Sequence, residues 1–178
     1  MEQTEGPRER LVTSTLSLLQ ERGVHGTGVA EVLSRSRTAR GSIYQHFPAG
    51  KADLVRAAAE RASDNVVAWT DAQRGRTATE QLDAMVDRWI RVMERHDFGL
   101  GCPLAAVATD SPDEPALATV GRAFETWTRH LAESLDGDHD LAVLMVSALE
   151  GAILQCRASR SVEPLEAVRR RLTVLLAA

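Results

Sequence analysis

Apolar residues recur at every third or fourth position along most of the chain, which is the spacing of one face of an α-helix. The clearest example is the segment "HDLAVLMVSALEGAILQC", whose apolar positions keep this spacing over four turns. No segment of the sequence shows the strict alternation of apolar and polar residues that indicates a β-strand. The pattern predicts an all-α protein.

The N-terminal part is predicted to hold three helices separated by short loops. The first begins at Pro7, a residue suited to a first helical turn, and ends at Gly23. Thr27 is expected to be the N-cap of a second, short helix. A third helix covers Ala39 to His46 and ends before Pro48, because the residue that precedes a proline is biased out of the α region.

The rest of the chain is predicted to form one longer helix and then four or five more. The longer helix ends near Trp69, and residues 74–78, "RGRTA", form a linker. The last helix follows Pro164. A chain of 178 residues makes one large domain or two small ones, with ample length for a buried core.

The positive charge of the chain is concentrated in one short segment. The net charge is −4, which argues against a surface that binds nucleic acid all over. Between Val32 and Ala52, however, there are four basic residues and no acidic one, whereas residues 1–31 hold five acids and three bases. A phosphate-bearing partner is therefore expected at this segment.

The sequence favours a cytoplasmic protein that does not enter a membrane. The N-terminus is acidic and polar, whereas a signal peptide is basic and then apolar. No run approaches 18 consecutive apolar residues. Cys102 and Cys156 are too few and too far apart for a disulfide scaffold, so both are expected to be reduced thiols.

Three helices with a tight turn between the second and third form a helix-turn-helix unit, which places its last helix in the DNA major groove. Arg40 and Tyr44 are four residues apart and share a helix face, where Arg40 can bind a guanine edge or a phosphate. Gly41 lets the backbone come close to DNA, and Ser42 offers a hydroxyl. The alternative is that this face is simply solvated, which is the commoner role of an Arg/Tyr pair at this spacing.

The segment "RGSIYQHFPAGKADL" resembles the helix-turn-helix motif of the TetR family of bacterial transcriptional repressors. Its "FPAGK" form and the later "GCPLA" at residues 101–105 are similar to the LmrA/YxaF-like branch of that family. The resemblance implies a helix-turn-helix DNA-binding domain over residues 1–55 and a helical ligand-binding and dimerisation domain over residues 56–178. It implies that the DNA-facing positions are Thr27, Ala39, Arg40, Gly41, Ser42, Tyr44, His46 and Lys51.

The turn of the motif departs from the family pattern. The family usually has Gly and then Val where this chain has Arg37 and Thr38. A residue other than glycine in a left-handed turn costs about 1 kcal/mol. Either the turn has another geometry here or Arg37 is retained as a phosphate contact, and both residues are included among the candidate DNA contacts.

The resemblance also implies a dimer that binds a two-fold symmetric operator and is released by a small molecule. The helix from Asp140 to Cys156 has one charged residue after its start, Glu150, and its small residues allow another helix to approach. The alternative is a central helix of a monomeric bundle. The predicted dimer contacts are Leu141, Leu144, Met145, Ala148, Leu149, Ala152, Ile153, Leu172 and Leu175.

A ligand pocket is predicted where methionine and aromatic residues cluster, because such side chains adapt to an apolar guest. The alternative is that each of these residues is an ordinary core residue. If they do line a pocket, the small molecule that binds there is expected to be largely apolar. The candidate lining residues are Met85, Trp89, Met93, Phe98, Cys102, Leu104, Phe124 and Trp127.

Two other classes of function compete with DNA binding. An enzyme is disfavoured because "HFPAGKA" lacks the Walker residues, with Gln45 and Ala52 at the diagnostic positions. The histidines show no metal-ligand spacing, so no catalytic residue, metal or cofactor is predicted. A helical module that binds protein instead of DNA differs from a repressor in that replacing Arg40 and Tyr44 leaves its binding unchanged.

Overall fold

The computed structural model of the protein describes residues 6–177. Within that range all regular secondary structure is α-helical, which confirms the predicted fold class. The helices are α1 (Pro7–Arg22), α2 (Val29–Ser36), α3 (Arg40–His46), α4 (Lys51–Ala72), α5 (Ala78–Arg95), α6 (Pro103–Asp110), α7 (Glu114–Glu133), α8 (His139–Ser159) and α9 (Glu163–Leu176).

Local sequence signals set many of the helix ends. Pro7 opens α1, and Gly23 closes it with a φ of 72°, a conformation that glycine adopts without strain. Thr77 and Glu80 form a reciprocal capping box at the start of α5. The prediction that Thr27 caps α2 is wrong, because the N-cap is Gly28. The Thr27 hydroxyl instead donates to the carbonyl oxygen of Gly23 at 2.7 Å and closes the preceding loop.

The described chain divides into two compact units. The first comprises the residues up to Asn65 together with Pro103–Arg122, and the second comprises Val66–Cys102 and the residues from Ala123 onward. The divisions fall inside α4 and α7, each of which is one continuous helix. Sequence patterns gave no sign that α6 and the start of α7 would join the N-terminal helices.

The first unit has an apolar core, and hydrogen bonds connect its N-terminal helices to its second segment, residues 103–122. The core residues are Leu11, Val12, Leu18, Val32, Ile43, Phe47, Leu54 and Ala57. In the loop after α1, the backbone N–H of His25 donates to Asp110 Oδ2 at 2.7 Å. The Arg56 guanidinium donates to both carboxylate oxygens of Asp113, at 2.6 and 2.8 Å. These bonds explain why residues 103–122 group with the N-terminal helices.

The second unit is a helical bundle whose core draws on α5, α7, α8 and α9. Helix α8 is long and apolar enough to cross a membrane by length and composition, a test that core helices also pass. Here Met145, Leu149 and Ile153 are buried in the apolar cluster of the unit. Helix α8 is therefore a core helix of this bundle.

Candidate nucleic-acid interface

The turn between α2 and α3 has the left-handed geometry that usually requires glycine. Arg37 has φ 52° and ψ 43°. Its N–H donates to the Ser34 carbonyl at 3.3 Å, and the N–H of Thr38 donates to the Leu33 carbonyl at 3.2 Å. This pair of bonds is a Schellman motif. The substitution of glycine by Arg37 therefore leaves the turn left-handed, at a cost of about 1 kcal/mol.

The same turn is anchored to α1. Arg10 Nε donates to the carbonyl oxygen of Ser36 at 3.1 Å. The hydroxyl of Thr38 donates to the same oxygen at 3.2 Å, and Ser36 itself is buried. These bonds fix the point at which the chain enters α3.

Helix α3 has one face in the core and the other in solvent. Ile43 and Phe47 are buried, and the Arg8 guanidinium lies 5.6 Å from the centre of the Phe47 ring. Tyr44 points outward with 58% of its surface exposed. The loop after α3 turns at Gly50, which has a φ of 63° and lies beside the Tyr44 ring.

All but one of the predicted DNA-facing residues are exposed or half-buried. The exposed group contains Arg37, Ala39, Arg40, Gly41 and Tyr44. The half-buried group contains Thr38, Ser42, His46 and Lys51.

Thr27 does not belong with the others. Its side chain is buried, its hydroxyl donates to Gly23, and its N–H donates to the Val24 carbonyl at 3.2 Å. Thr27 therefore has neither a hydroxyl nor an amide proton left to donate to a phosphate. The structure therefore does not support Thr27 as a phosphate contact, because the loop uses both groups for its own closure.

Three of the four basic residues in the acid-free segment carry uncompensated charge. Arg35 forms a two-pronged ion pair with Glu21, whose hydrogen bonds raise the pKa of Arg35. Arg37, Arg40 and Lys51, by contrast, have no carboxylate partner anywhere in residues 6–177. We call Arg37, Arg40, Tyr44 and Lys51 the cationic face.

Asp53, the first acidic residue after the acid-free segment, is neutralised locally. Asp53 accepts a hydrogen bond from the backbone N–H of Ala49 at 2.7 Å, at the start of α4. It also pairs with Arg56 at 3.1 Å. The carboxylate therefore belongs to the helix terminus and to Arg56, which leaves the charge of Lys51 available. Sequence reasoning did not find this role for Asp53.

Most of the predicted ligand-pocket residues meet in one place. Met85, Met93 and Trp127 are buried in the core of the second unit, and three more pack against that core, namely Trp89, Phe98 and Phe124. Cys102 is buried in the same unit, whereas Leu104 belongs to the first unit. A site confined to the second unit excludes Leu104, because the chain passes from one unit to the other at residue 103.

The predicted dimer contacts split between the core and the surface of the second unit. The buried ones are Met145, Leu149, Ala152, Ile153 and Leu172, and the half-buried ones are Leu141 and Ala148. Side chains buried in their own chain are unavailable to a partner, which leaves Leu144 and Leu175 exposed and Leu141 and Ala148 partly accessible among the predicted set. Three further apolar residues of the same helices are exposed and were not in the predicted set: Val143, Leu154 and Val174.

Comparison with known protein families agrees with this architecture. The family model described as "Bacterial regulatory proteins, tetR family" matches residues 11–58, which include α2, the turn and α3. A second model, "Transcriptional regulator LmrA/YxaF-like, C-terminal domain", matches residues 78–171.

Individual relatives match along nearly the whole chain. The HTH-type transcriptional regulator Rv0196 of Mycobacterium tuberculosis is 39% identical over 188 aligned positions, covering 98% of this chain and 96% of the relative. The HTH-type transcriptional regulator LmrA of Bacillus subtilis is 25% identical, covering 89% and 90%. The crystal structure of regulatory protein TetR from Rhodobacter sphaeroides has a TM-score of 0.84 at 26% identity, covering 93% of this chain and 96% of that one.

Fold, interface and relatives together define a DNA-binding transcriptional regulator of the helix-turn-helix class, and not an enzyme. The chain belongs to the TetR family of bacterial regulatory proteins, with a C-terminal domain of the LmrA/YxaF-like kind. The resemblance seen in the sequence is thereby confirmed.

Proposed function

We propose that the protein is a cytoplasmic repressor that binds a two-fold symmetric operator as a homodimer and is released by a small, largely apolar molecule. The observation that carries this proposal is the cationic face. Its charges are unpaired within the described chain, and they surround the exposed side of a helix whose other side is fixed in the core. Such a surface matches a DNA groove flanked by phosphates.

Each residue of the cationic face has a distinct role in the proposal. Arg40 extends from the first turn of α3 and binds a guanine edge or a phosphate through its forked guanidinium. Tyr44 donates its hydroxyl to a phosphate one helical turn further on. Arg37 and Lys51 lie at opposite ends of the motif and bind phosphates as flanking charges.

Exposed apolar side chains support the dimer. Val143, Leu144 and Leu154 are exposed on α8, and Val174 and Leu175 are exposed on α9. Burying them against the same residues of a second copy gives a symmetric interface of four helices. Two copies of α3 about 34 Å apart then contact successive major grooves.

The proposed release mechanism uses the second unit. A ligand that binds among its aromatic and methionine side chains moves α4, which continues without a break from Lys51 to Ala72. That movement changes the spacing of the two α3 helices and lowers operator affinity. Because binding is reciprocally linked, operator DNA must weaken ligand binding by the same factor.

Genomic footprinting with the purified protein identifies the operator, and gel-shift titration of that fragment tests the interface. The double variant Arg40→Ala/Tyr44→Ala is expected to lose about 100-fold in affinity or more, because each base or phosphate contact is worth about 1–3 kcal/mol. Arg91→Ala, an exposed arginine on α5, is the matched control and is expected to retain full affinity. Unchanged affinity in the double variant with an intact fold contradicts the proposal.

A further inference from the structure

The second unit holds a carboxylate in an unusual position. Glu150 lies on α8 between Val146 and Ile153, both of which belong to the apolar core. Both of its carboxylate oxygens are out of contact with solvent. Neither oxygen accepts a hydrogen bond of standard geometry from any residue between 6 and 177. A carboxylate in this position lacks the charged partner that a buried charge requires.

The immediate surroundings offer Glu150 little compensation. Burial raises the pKa of Glu150 to about 7, and the thiol of Cys102 opposes that shift only in part. A thiol is a weak hydrogen-bond donor. No arginine, lysine or histidine of the described chain lies within ion-pair distance of this carboxylate.

A second polar group of the same core also lacks a partner. Trp127 Nε1 is buried and donates to no acceptor among the described residues. Trp127 belongs to the same apolar cluster as Val146 and Ile153, which flank Glu150. Leaving a buried polar group unsatisfied costs about 1–3 kcal/mol. A guest that satisfies such groups recovers this free energy on binding, in addition to the gain from its apolar surface.

We infer that the effector is an apolar cation, a hydrophobic molecule with a protonated amine whose N–H groups bind the Glu150 carboxylate among the aromatic residues of the second unit. This inference rests on the proposed function and deepens it, since the proposal alone gives only a largely apolar ligand. An N⁺–H···O⁻ hydrogen bond is about twice as strong as one between two neutral groups. Indole rings in the same core add cation–π attraction for such a ligand.

The test compares matched ligands that differ in charge. Arylalkyl probes of increasing size, from phenylbutyl to biphenylbutyl and naphthylbutyl, are each made as the ammonium, the alcohol and the carboxylate. Isothermal titration calorimetry measures their binding to the intact wild-type protein without DNA. For at least one scaffold the ammonium is expected to bind about tenfold more tightly than its alcohol, and the carboxylate is expected to bind least.

Three variants assign that preference to one side chain. Glu150→Gln keeps the shape and removes the charge, and it is expected to bind ammonium and alcohol equally. Glu150→Asp keeps a carboxylate and is expected to retain part of the preference. Glu125→Gln, an exposed glutamate on α7, is the matched control and is expected to behave as wild type. Thermal unfolding and operator binding of each variant verify that it is folded.

The outcomes separate this inference from the function on which it rests. A set of probes in which no ammonium binds more tightly than its alcohol overturns the inference, as does a preference that survives in Glu150→Gln. Release of the operator by a neutral compound that binds independently of Glu150 also overturns it, while leaving the repressor proposal standing. Glu150-dependent binding that never alters operator affinity supports the cation site and contradicts the proposed release mechanism.

Discussion

The two units of the protein differ in how completely their buried polar side chains are hydrogen-bonded. In the first unit, carboxylates such as Asp110 and Asp113 accept several hydrogen bonds each, and their pKa values are lowered as a result. Among the described residues, all the buried side-chain polar atoms without a hydrogen bond lie in the second unit, on Gln73, Trp127, Glu150 and Arg169. The unit that holds the helix-turn-helix motif has no such atom among its described residues, whereas the helical bundle has several.

This difference has a physical consequence for regulation. A unit whose buried side-chain polar atoms are all hydrogen-bonded resists local change, because a displacement breaks those bonds without replacing them. A core with unsatisfied polar groups gains more free energy from a bound molecule that forms hydrogen bonds with those groups. The contrast predicts that removing a buried or hydrogen-bonded side chain of the first unit lowers stability, and that replacing an unsatisfied buried group of the second unit raises it.

The largest expected loss of stability comes from the core of the first unit. Ile43 is completely buried, so Ile43→Ala leaves a cavity and is expected to lower the free energy of unfolding by about 2–5 kcal/mol. Urea denaturation followed by circular dichroism measures this change. The neighbouring Tyr44→Ala is the control: it is expected to lose operator affinity with little loss of stability. Equal losses of unfolding free energy in the two variants contradict the assignment of a buried face and an exposed face to α3.

Glu150→Gln is expected to stabilise the protein at alkaline pH by about 3 kcal/mol. The pKa of Glu150 is raised to about 7 by burial, so above its ordinary range the folded state still holds a proton that the unfolded chain has released. Wild-type stability therefore falls as pH rises toward 7 and stays lower above it. The gain of the variant should have almost vanished at about pH 4, where the carboxyl is protonated in most unfolded chains as well. Chemical denaturation from pH 4 to pH 8 measures it, and a gain independent of pH counts against a buried carboxylate.

Asp113→Asn tests the link between the two pieces of the first unit. The hydrogen bond from Arg56 is the main cause of the lowered pKa of Asp113. The ion pair is partly exposed, so its loss is expected to cost about 1 kcal/mol at neutral pH. Because the folded pKa is lowered, the contribution is present above the ordinary carboxyl range and disappears as the pH falls through the folded value. Asp64→Asn, an exposed position on α4, should show no such dependence in the same denaturation series.

The smallest expected effect is a gain in stability from a substitution in the turn between α2 and α3. Arg37→Gly removes the left-handed strain but adds backbone freedom to the unfolded chain, so a net gain of about 0.5 kcal/mol is expected. The same variant is expected to weaken operator binding and to reduce its salt dependence by about one phosphate contact. A variant that gains stability and keeps full affinity shows that Arg37 does not contact DNA.

The sequence predicted well where the determining interactions are local. Pro7 and Gly23 bound α1 as expected, because helix starts and stops depend on the residues at those positions. The outward orientation of Arg40 and Tyr44 followed from helical spacing and the buried Ile43. Helix periodicity and turn chemistry therefore sufficed for the fold class and for the core of the interface.

The sequence failed where the answer depends on distant contacts. Threonine is a residue type that often caps helices, but the hydroxyl of Thr27 donates its hydrogen bond to the carbonyl oxygen four residues earlier. Helix α8 is apolar on nearly every side, so its pattern does not show which face belongs to its own core, and Met145 was assigned to the dimer. The burial of Glu150 likewise depends on how α8 packs, which one helix pattern cannot show.

The glycine after α3 limits how this protein can be retargeted. Gly50 has a positive φ, its N–H donates to the Phe47 carbonyl at 2.8 Å, and a methyl group there would lie 3.9 Å from the Tyr44 ring. Space is available for a side chain, but the backbone conformation disfavours one. A library that seeks new operators can therefore randomise Arg40, Ser42 and Tyr44 together, provided that residue 50 remains glycine to hold the randomised helix in place.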